Sequence, residues 1–334
     1  MKYPPYFQKG DIVGICAPSS GVPENLHPRL ESAIASLENL GYTCIETESV
    51  RKTSKCVSTD SAQRAKEFME LYENHTVKLI LPPWGGEFLM DMLPLLDFEY
   101  IKNLPPKWIC GYSDITTLTF PLTLLCDVAT VHGSNLMNMG LPELHQMDAF
   151  LFEALGKSEF VQQNSKCSGG YLEDFSAYAL NEKTEWKSLF GQNKIQCSGR
   201  MIGGCMDVLC KILGTRFVPL DAFQQRYRDD GFIWTLESCE MSAADIYRTL
   251  GQMRECGWFR YANGILIGRP DEYRDTKDFS LVDALERSFA GLDIPVIYDA
   301  DIGHRPPQMQ IINGSIGTVV WENGAGSLMQ TYEI

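Results

Sequence analysis

The chain has 334 residues, of which 44% are hydrophobic and 22% charged, a composition that is typical of globular proteins and argues against disorder. This length exceeds that of one typical hydrophobic core, so two domains are expected. The net charge of −14 at pH 7 would repel phosphate backbones and anionic membranes, and we therefore predict no nucleic-acid or membrane partner.

Strands and helices alternate along the first half of the chain. The predicted elements are, in order, a strand at 12–17, a helix at 23–40, a strand at 43–47, a helix at 61–72, a strand at 77–81, a short helix at 89–95, a strand at 108–110 and a helix that begins at Ile115. The helices carry apolar residues at helical spacing, and the strand at 77–81 is a continuous apolar run that would be buried on both faces. This alternation predicts a mostly parallel sheet with helices on both sides.

The pattern weakens between residues 160 and 196, where polar and glycine residues are frequent, which indicates an interdomain crossing with an exposed loop. The elements predicted after it are a helix at 206–213, a strand at 232–236, a helix at 243–253, a strand at 264–267, a helix at 281–289, a strand at 295–298 and hairpins near 313–314 and 323–324.

The sequence therefore predicts an α/β protein in three segments. Residues 1–160 form an N-terminal parallel-sheet α/β domain that carries the candidate nucleophile. Residues 161–197 form a linker with a substrate loop, and residues 198–334 form a C-terminal mixed α/β domain with β-rich ends.

The cysteines indicate a reducing compartment. Eleven are present, an odd number, and most lie inside apolar runs; no signal peptide is visible. These features predict a cytoplasmic protein with free thiols. No CxxC pair occurs, and Cys205 and Cys210 lack histidines nearby in the sequence, so we predict no metal site and no cofactor.

The sharpest local feature is the turn that contains Ser113. An apolar strand runs into Gly111-Tyr112-Ser113, and a helical pattern follows directly. A serine at such a turn is exposed as in a nucleophile elbow, and the N–H of Asp114 would help to hold a developing oxyanion. The final glycine of the G-x-S-x-G pattern is missing, and a plain helix cap is the alternative.

A nucleophilic serine needs a base, and the base needs an acid to orient it. His304 follows a predicted strand end and His132 follows an apolar run, so both are candidates for the base. Glu237 ends an apolar run, where a carboxylate is costly unless it has a partner, which favours it over Glu240 as the acid. The alternative for Glu237 is a capping or surface role.

Two glycine-containing loops follow predicted strands. Gly85-Gly86 would allow the backbone to approach a substrate closely, and we predict that Gly86 supplies the second oxyanion-hole N–H. The turn over residues 18–21 resembles a phosphate-binding turn but lacks the required glycine pattern, which favours a structural turn.

Together with neighbouring motifs, these segments resemble the LD-carboxypeptidase and microcin C immunity family of serine peptidases. The matching stretches are 9–11, 17–20, 83–86, 93–97, 106–116, 203–204, 213–215, 236–237, 264–269 and 303–304. The combination covers most of the chain.

The resemblance implies a catalytic triad of Ser113, Glu237 and His304, and it selects His304 over His132 as the base. It also implies an active site between two domains, a small peptide-like substrate and a homodimer. The implied substrates are a murein tetrapeptide or a peptidyl- or aminoacyl-nucleotide of the microcin C type.

One loop departs from the murein-recycling branch of the family. Residues 84–87 read Trp-Gly-Gly-Glu, where that branch is associated with Arg-Gly-Gly-Tyr-Gly, which favours the microcin C immunity-like branch. The candidate substrate-binding residues are Trp84, Glu87, His132 and Trp186. Trp186 would stack on a substrate from a loop over residues 171–186 that also carries Glu173, Asp174 and Tyr178.

Two other functions fit parts of the sequence. A carboxylesterase of the α/β-hydrolase fold would share the order serine, glutamate, histidine, although two separate domains argue against it. A flavodoxin-like binding module without enzymatic activity would use Ser19, Ser20 and Gly21 to hold a phosphate.

Overall fold

The structure, a computed structural model, describes residues 1–172 and 176–334. Its strands are β1 (Ile12–Ile15), β2 (Thr43–Glu46), β3 (Val77–Ile80), β4 (Trp108–Ile109), β5 (Thr130–His132), β6 (Glu159–Gln163), β7 (Cys167–Tyr171), β8 (Tyr178–Lys183), β9 (Lys187–Ser188), β10 (Lys194–Cys205), β11 (Phe232–Glu237), β12 (Ala262–Gly268), β13 (Val296–Ala300), β14 (Ile311–Asn313), β15 (Ile316–Glu322) and β16 (Ala325–Thr331). Its α-helices are α1 (His27–Asn39), α2 (Ser61–Glu73), α3 (Phe98–Asn103), α4 (Thr116–Cys126), α5 (Gln146–Leu155), α6 (Met206–Ile212), α7 (Leu220–Arg226), α8 (Ala243–Glu255) and α9 (Leu281–Phe289).

The N-terminal part contains a four-stranded sheet in the order β2-β1-β3-β4, and every pair in it is parallel. Helices cover the sheet because each carries an apolar stripe; α1 buries Leu30, Ala33 and Leu37. The predicted parallel α/β unit is confirmed. Within the described ranges, no helix has the length and apolarity that a membrane span requires.

The C-terminal part contains a mixed eight-stranded sheet in the order β6-β16-β15-β10-β11-β12-β13-β9. The four central strands β10 to β13 are parallel, and the flanking pairs are antiparallel. Parallel strands joined by α8 and α9 make the centre, and hairpin-connected strands make one end. The predicted mixed α/β unit with β-rich ends is confirmed.

The described part of the weakly patterned segment between residues 160 and 196 contains four strands in addition to the start of β10. β6 and β9 form the two edges of the second sheet, and β7 pairs with β8 as a separate hairpin. The sequence predicted a loop here because some of the side chains that point from these strands into the core are polar. On β6, Phe160 and Gln162 both point inward, and Gln162 donates a hydrogen bond to the Gln310 carbonyl.

A continuous apolar core joins the two sheets. The Phe120 ring of α4 stacks on Trp258 with centroids 5.4 Å apart, and Trp258 stacks on Trp234 of β11 at 5.0 Å. β14 also pairs with β5, across the two halves of the chain. Aromatic contacts of this size are worth about 0.5–1.5 kcal/mol each beyond area burial. These aromatic contacts pack the interior of α4 against the middle of β11.

Candidate active site

Ser113 lies at a sharp turn between β4 and α4. Gly111 donates its N–H to the Val131 carbonyl at 3.1 Å, Tyr112 is extended, and Ser113 has a left-handed backbone with φ of +62°. Non-glycine residues adopt this conformation rarely and at a cost of about 1–3 kcal/mol, and such strain concentrates at functional positions. The turn presents the Ser113 side chain at the start of a helix, which is the arrangement of a nucleophile elbow.

The Asp114 side chain fixes the beginning of that helix. Its carboxylate accepts hydrogen bonds from Ser19 Oγ at 2.6 Å, from the Leu89 N–H at 2.9 Å and from Thr117 Oγ1 at 2.9 Å. Burial raises the pKa of Asp114, and the three donors offset only part of that effect. The side chain is an anchor, so the predicted catalytic role of Asp114 concerns its backbone N–H alone.

The Gly85-Gly86 loop packs directly against the Ser113 turn. A Cβ atom at Gly85 would lie 2.7 Å from Ser113 Cβ and 2.8 Å from the Asp114 nitrogen. A Cβ atom at Gly86, where φ is +147°, would lie 2.3 Å from Ser20 Oγ. Only glycine permits so close an approach, and the loop therefore brings its peptide groups next to Ser113.

Glu237 and His304 form a hydrogen-bonded pair. Glu237 is the last residue of β11 and is fully buried, whereas His304 lies in the loop that follows β13. His304 Nδ1 lies 2.8 Å from Glu237 Oε2. Gly303 makes the contact possible, because its φ is +99° and a Cβ atom there would lie 2.5 Å from the same oxygen. The fold thus brings the predicted acid and base together.

The electrostatics of this pair favour its charged form. Burial alone would raise the pKa of Glu237, but the charge and hydrogen bond of His304 outweigh burial and lower it. Burial alone would lower the pKa of His304, but Glu237 outweighs burial and holds it well above its usual range. His304 Nε2 is buried and, within the described part of the chain, has no hydrogen-bond partner. One ring nitrogen is therefore held by an acid, and the other is available for proton transfer.

We expect kcat/KM to rise with pH as His304 loses its proton, because only neutral imidazole can accept a proton from serine. Since Glu237 raises the pKa of His304, the midpoint should lie above the ordinary histidine value of about 6.5. A profile of kcat/KM from about pH 5 to about pH 10 measures it. A midpoint at or below the ordinary value would show that Glu237 does not act on the working base.

His132 lies on the other side of the same carboxylate. Its Nε2 is 3.7 Å from Glu237 Oε1, and 1% of its side chain is exposed. Burial lowers the pKa of His132 to about 4, so its imidazole is neutral near pH 7. We predicted that His132 contacts a substrate. Its burial corrects this prediction, because the ring packs behind the Glu237 carboxylate.

We expect His132→Ala to lower kcat/KM by about tenfold, or about 1.4 kcal/mol, because the ring faces only the far oxygen of Glu237. Steady-state kinetics alongside His304→Ala test the ranking. Thermal unfolding of both variants separates a loss of stability from a loss of turnover. If His132→Ala were the inactive variant and His304→Ala retained activity, the assignment of the base would be reversed.

Tyr112 links His304 to the predicted substrate loop. Its ring packs edge-on against the His304 ring with centroids 4.8 Å apart, and its hydroxyl interacts with that of Tyr171 on β7. Tyr171 in turn packs against Tyr178 on β8 at 5.1 Å. Because Tyr112 directly precedes Ser113, the β7–β8 hairpin is coupled through two tyrosines to both candidate catalytic residues.

Ser113 opens into a cleft of about 180 Å³. The described residues that line it are Gly86, Glu87, Met90, Ser113, Asp114, Thr117, Cys205, Asp207, Val208, Lys211, Ile212, Cys239 and Glu240. Four of these carry carboxylates and one is a lysine, so the cleft is acidic. A larger cavity of about 530 Å³ lies beside α5 and β6, and its described lining includes none of Ser113, Glu237 and His304.

The other predicted substrate residues lie in different surroundings. Glu87 is exposed at the cleft. The Trp84 indole N–H donates to the Ser20 carbonyl at 3.1 Å and braces the neighbouring loop. Trp186 is fully buried and donates to Asp301 at 2.8 Å, so no ring face remains for a substrate and its predicted stacking role is corrected. Glu173 and Asp174 lie outside the described residues.

Cys205, Asp207 and Cys239 are among the cleft residues that were not predicted from the sequence. Cys205 pairs in register with Glu237 across the parallel strands β10 and β11. Asp207 accepts the N–H of Cys239 at 2.9 Å and fixes the loop after β11. The signal that could have found Cys205 is its place after Gly203-Gly204 at a strand end, next to the strand that ends at Glu237.

Two family profiles match the chain. The LD-carboxypeptidase N-terminal domain matches residues 13–133, and the LD-carboxypeptidase C-terminal domain matches residues 198–319. The chain belongs to the LD-carboxypeptidase family. The first match contains Ser113, and the second contains Glu237 and His304.

Three relatives align with this LD-carboxypeptidase over most of its length. A Vibrio cholerae protein that carries a carboxypeptidase name is 26% identical and covers 97% of this chain and 96% of its own. A Bacillus subtilis protein named for murein peptide carboxypeptidase activity is 26% identical, with coverage of 93% and 89%. The microcin C7 self-immunity protein MccF of Escherichia coli is 24% identical, with coverage of 97% and 94%.

Solved structures share the fold of this LD-carboxypeptidase. A MccF-like protein from Bacillus anthracis has a TM-score of 0.86 at 21% identity and covers 100% of both chains. MccF with aspartyl sulfamoyl adenosine has a TM-score of 0.83 at 21% identity, with coverage of 99% and 98%. A muramoyltetrapeptide carboxypeptidase from Oxalobacter formigenes has a TM-score of 0.77 at 19% identity, with coverage of 96% and 99%.

As a member of this family, the chain is a serine-type carboxypeptidase, a hydrolase that acts on peptide bonds. Neither an esterase of the α/β-hydrolase fold nor a flavodoxin-like module fits this membership. The turn at residues 18–21 also gives no support to a phosphate-binding module. Ser19 is buried and donates a hydrogen bond to Asp114, and a Cβ atom at Gly21 would lie 1.8 Å from the Lys52 carbonyl oxygen. That turn is structural.

Proposed function

We propose that this LD-carboxypeptidase cleaves a small peptide-type amide through a triad of Ser113, His304 and Glu237. Ser113 Oγ attacks the carbonyl carbon while His304 Nε2 takes the hydroxyl proton. Glu237 orients the imidazole and stabilises its charged form. His304 then gives the proton to the leaving amine, and the acyl group stays on Ser113. Water, activated by the same base, releases the acyl group and restores the serine.

The oxyanion of each tetrahedral intermediate would be held by the backbone N–H groups of Gly86 and Asp114. The close approach of the Gly85-Gly86 loop to Ser113 and the start of a helix at the same point support this assignment. Preorganised donors of this kind are worth about 2.7–4 kcal/mol each in transition-state stabilisation.

The observation that carries the proposal is the 2.8 Å contact between His304 Nδ1 and Glu237 Oε2. Burying the charged Glu237 carboxylate costs free energy. The hydrogen bond to His304 offsets part of that cost, and this hydrogen bond forms only when the imidazole is held in one orientation. His304 also packs against Tyr112, the residue before Ser113, which supports its assignment as the base.

Two substrate classes follow from the named relatives. One is a murein tetrapeptide, since the Bacillus subtilis relative is named for murein peptide and the Oxalobacter formigenes protein for muramoyltetrapeptide. The other is an aminoacyl-nucleotide, since a structure of MccF holds aspartyl sulfamoyl adenosine. The tetrapeptide has a free carboxylate on its leaving residue. In the cleft that carboxylate would meet Glu87, Glu240 and Asp207, with Lys211 as the one cation among the described lining residues. This charge balance disfavours the free carboxylate of the tetrapeptide, and the Trp-Gly-Gly-Glu sequence of residues 84–87 favours the microcin C immunity-like branch.

We expect an aminoacyl sulfamoyl adenosine to be hydrolysed at least as fast as murein tetrapeptide, measured as kcat/KM by chromatography of the products. Burial and the neighbouring carboxylates of Glu240 and Asp114 raise the pKa of Glu87. Glu87→Gln should therefore improve the tetrapeptide more than the nucleotide. A tetrapeptide preference of tenfold or more, about 1.4 kcal/mol, would place the enzyme in the murein-recycling branch. No hydrolysis of either class, with Ser113 intact, would contradict the proposed function.

Two further properties stay predictions, one from the family resemblance and one from the cysteines. The enzyme is expected to be a homodimer, with twice the 37.6 kDa mass of the chain in solution. A cytoplasmic location is expected from the free thiols.

A further inference from the structure

Cys205 joins the acid and the base in one compact cluster. Cys205 Sγ, one carboxylate oxygen of Glu237 and one ring nitrogen of His304 all lie within 4.8 Å of one another. The register of β10 and β11 places Cys205 directly opposite Glu237. Thiolate, carboxylate and imidazole are the three ligand types of zinc sites in proteins. The sequence spacing had argued against such a site, because His304 lies far from Cys205 along the chain.

The cluster has the dimensions and the vacant ligand atoms that a zinc ion needs. A tetrahedral zinc ion with bonds of about 2.0–2.3 Å holds its ligand atoms about 3.3–3.6 Å apart, which small side-chain rotations would reach here. Glu237 Oε1 and His304 Nε2 are buried and, among the described residues, lie within hydrogen-bonding geometry of no partner atom. The thiols of Cys205 and Cys239 are the groups that interact with these two side chains. Buried polar atoms without partners are uncommon in folded proteins and point to a ligand.

The cluster borders the open cleft, and its surroundings are acidic. Cys205 lines the same open cleft as Ser113 and Cys239. Cys239 interacts with His304 and offers a second thiol to an ion held there. Asp207 lies 3.6 Å from Cys205 Sγ, so the surroundings attract a cation.

We propose that Cys205, Glu237 and His304 bind a zinc ion and that zinc inhibits the enzyme. The ion would displace the thiol proton of Cys205. On His304 Nδ1 it would replace the hydrogen bond to Glu237, and on Nε2 it would occupy the lone pair that accepts the serine proton. Either mode blocks the base. The inhibition, though not the binding, rests on the proposed function.

Cobalt chloride is the probe for binding, because a cobalt(II)–thiolate bond gives a charge-transfer band in the near ultraviolet. Titration of cobalt chloride into the Ser113→Ala variant measures metal binding in the absence of substrate hydrolysis. We expect one cobalt ion per chain, displaced by zinc chloride. Cys205→Ser should weaken binding by more than about 100-fold, since even outer-shell changes cost about 10–100-fold. His304→Gln provides a second ligand variant should Cys205→Ser fail to fold, and Cys256→Ser removes an exposed thiol as the matched control.

In the wild type, zinc chloride should lower kcat/KM by more than about tenfold, and EDTA should restore it. Zinc chloride should leave the kcat/KM of Cys205→Ser close to the value of the same variant without metal. It should lower the kcat/KM of Cys256→Ser as it does that of the wild type. A thiolate band that persists unchanged in both Cys205→Ser and His304→Gln overturns the site. Zinc binding with full hydrolysis overturns the inhibition. A wild type that hydrolyses no substrate contradicts the proposed function, while the cobalt titration still decides the site.

Discussion

Ser113→Ala is expected to lower kcat by about 10⁴-fold or more while the protein stays folded. Removal of a triad nucleophile leaves only binding and oxyanion stabilisation, and losses in serine peptidases reach about 10⁶-fold. The side chain contributes little to packing, because Ser113 is partly exposed at the cleft. Steady-state kinetics on the better of the two substrates, with circular dichroism and thermal unfolding, measure both halves of the expectation.

Ser198→Ala is the matched control for this variant. Ser198 is exposed on β10 and shares a hydrogen bond of 2.8 Å with Thr318, outside the described lining of the cleft. We expect its kinetics to equal those of the wild type. A Ser113→Ala variant with more than about a tenth of wild-type kcat would remove the serine mechanism, since triad losses are orders of magnitude larger.

His304→Ala and Glu237→Gln should each lower kcat by about 10³–10⁴-fold or more. His304→Ala removes the group that moves the proton, and Glu237→Gln leaves an amide of the same shape that cannot stabilise the imidazolium. Because the two residues act through one hydrogen bond of 2.8 Å, the kcat of the double variant should be only slightly below that of the less active single variant. Kinetics of both single variants and the double variant test this non-additivity.

His75→Ala serves as the control for loss of a histidine, since His75 is exposed at the surface. It should keep wild-type kinetics. Fully additive losses for His304→Ala and Glu237→Gln would contradict the pairing, because independent sites add and members of one catalytic unit do not.

The candidate triad was predictable in part because each of its residues ends or follows a predicted strand. Ser113 follows β4, Glu237 ends β11 and His304 follows β13, and functional groups in parallel α/β sheets gather at the carboxyl ends of strands. β4 belongs to one sheet and β11 and β13 to the other, so the position of Ser113 relative to Glu237 and His304 could not be predicted from either pattern. It depends on long-range packing such as that of Phe120 against Trp258.

The prediction for Trp186 was wrong for a physical reason that can be named. Trp186 lies in a polar stretch and was predicted to be exposed, but Gly326 leaves space beside its ring: a Cβ atom there would lie 2.1 Å from Trp186 Cε3. The buried partner of its N–H, Asp301, is 115 residues away in sequence. Ser19 likewise anchors Asp114 across 95 residues. Polar contacts over such separations leave no periodic signal in a single sequence.

The most direct test of the central claim is covalent labelling with a serine-directed fluorophosphonate, followed by intact-mass analysis and peptide mapping. The reagent mimics the tetrahedral intermediate and reacts fastest with a hydroxyl that a base has activated. We predict one adduct per chain, located on Ser113, absent in Ser113→Ala and strongly slowed in His304→Ala. An adduct on another residue, or an unlabelled Ser113 in protein that hydrolyses its substrate, would contradict the assignment of Ser113 as the nucleophile.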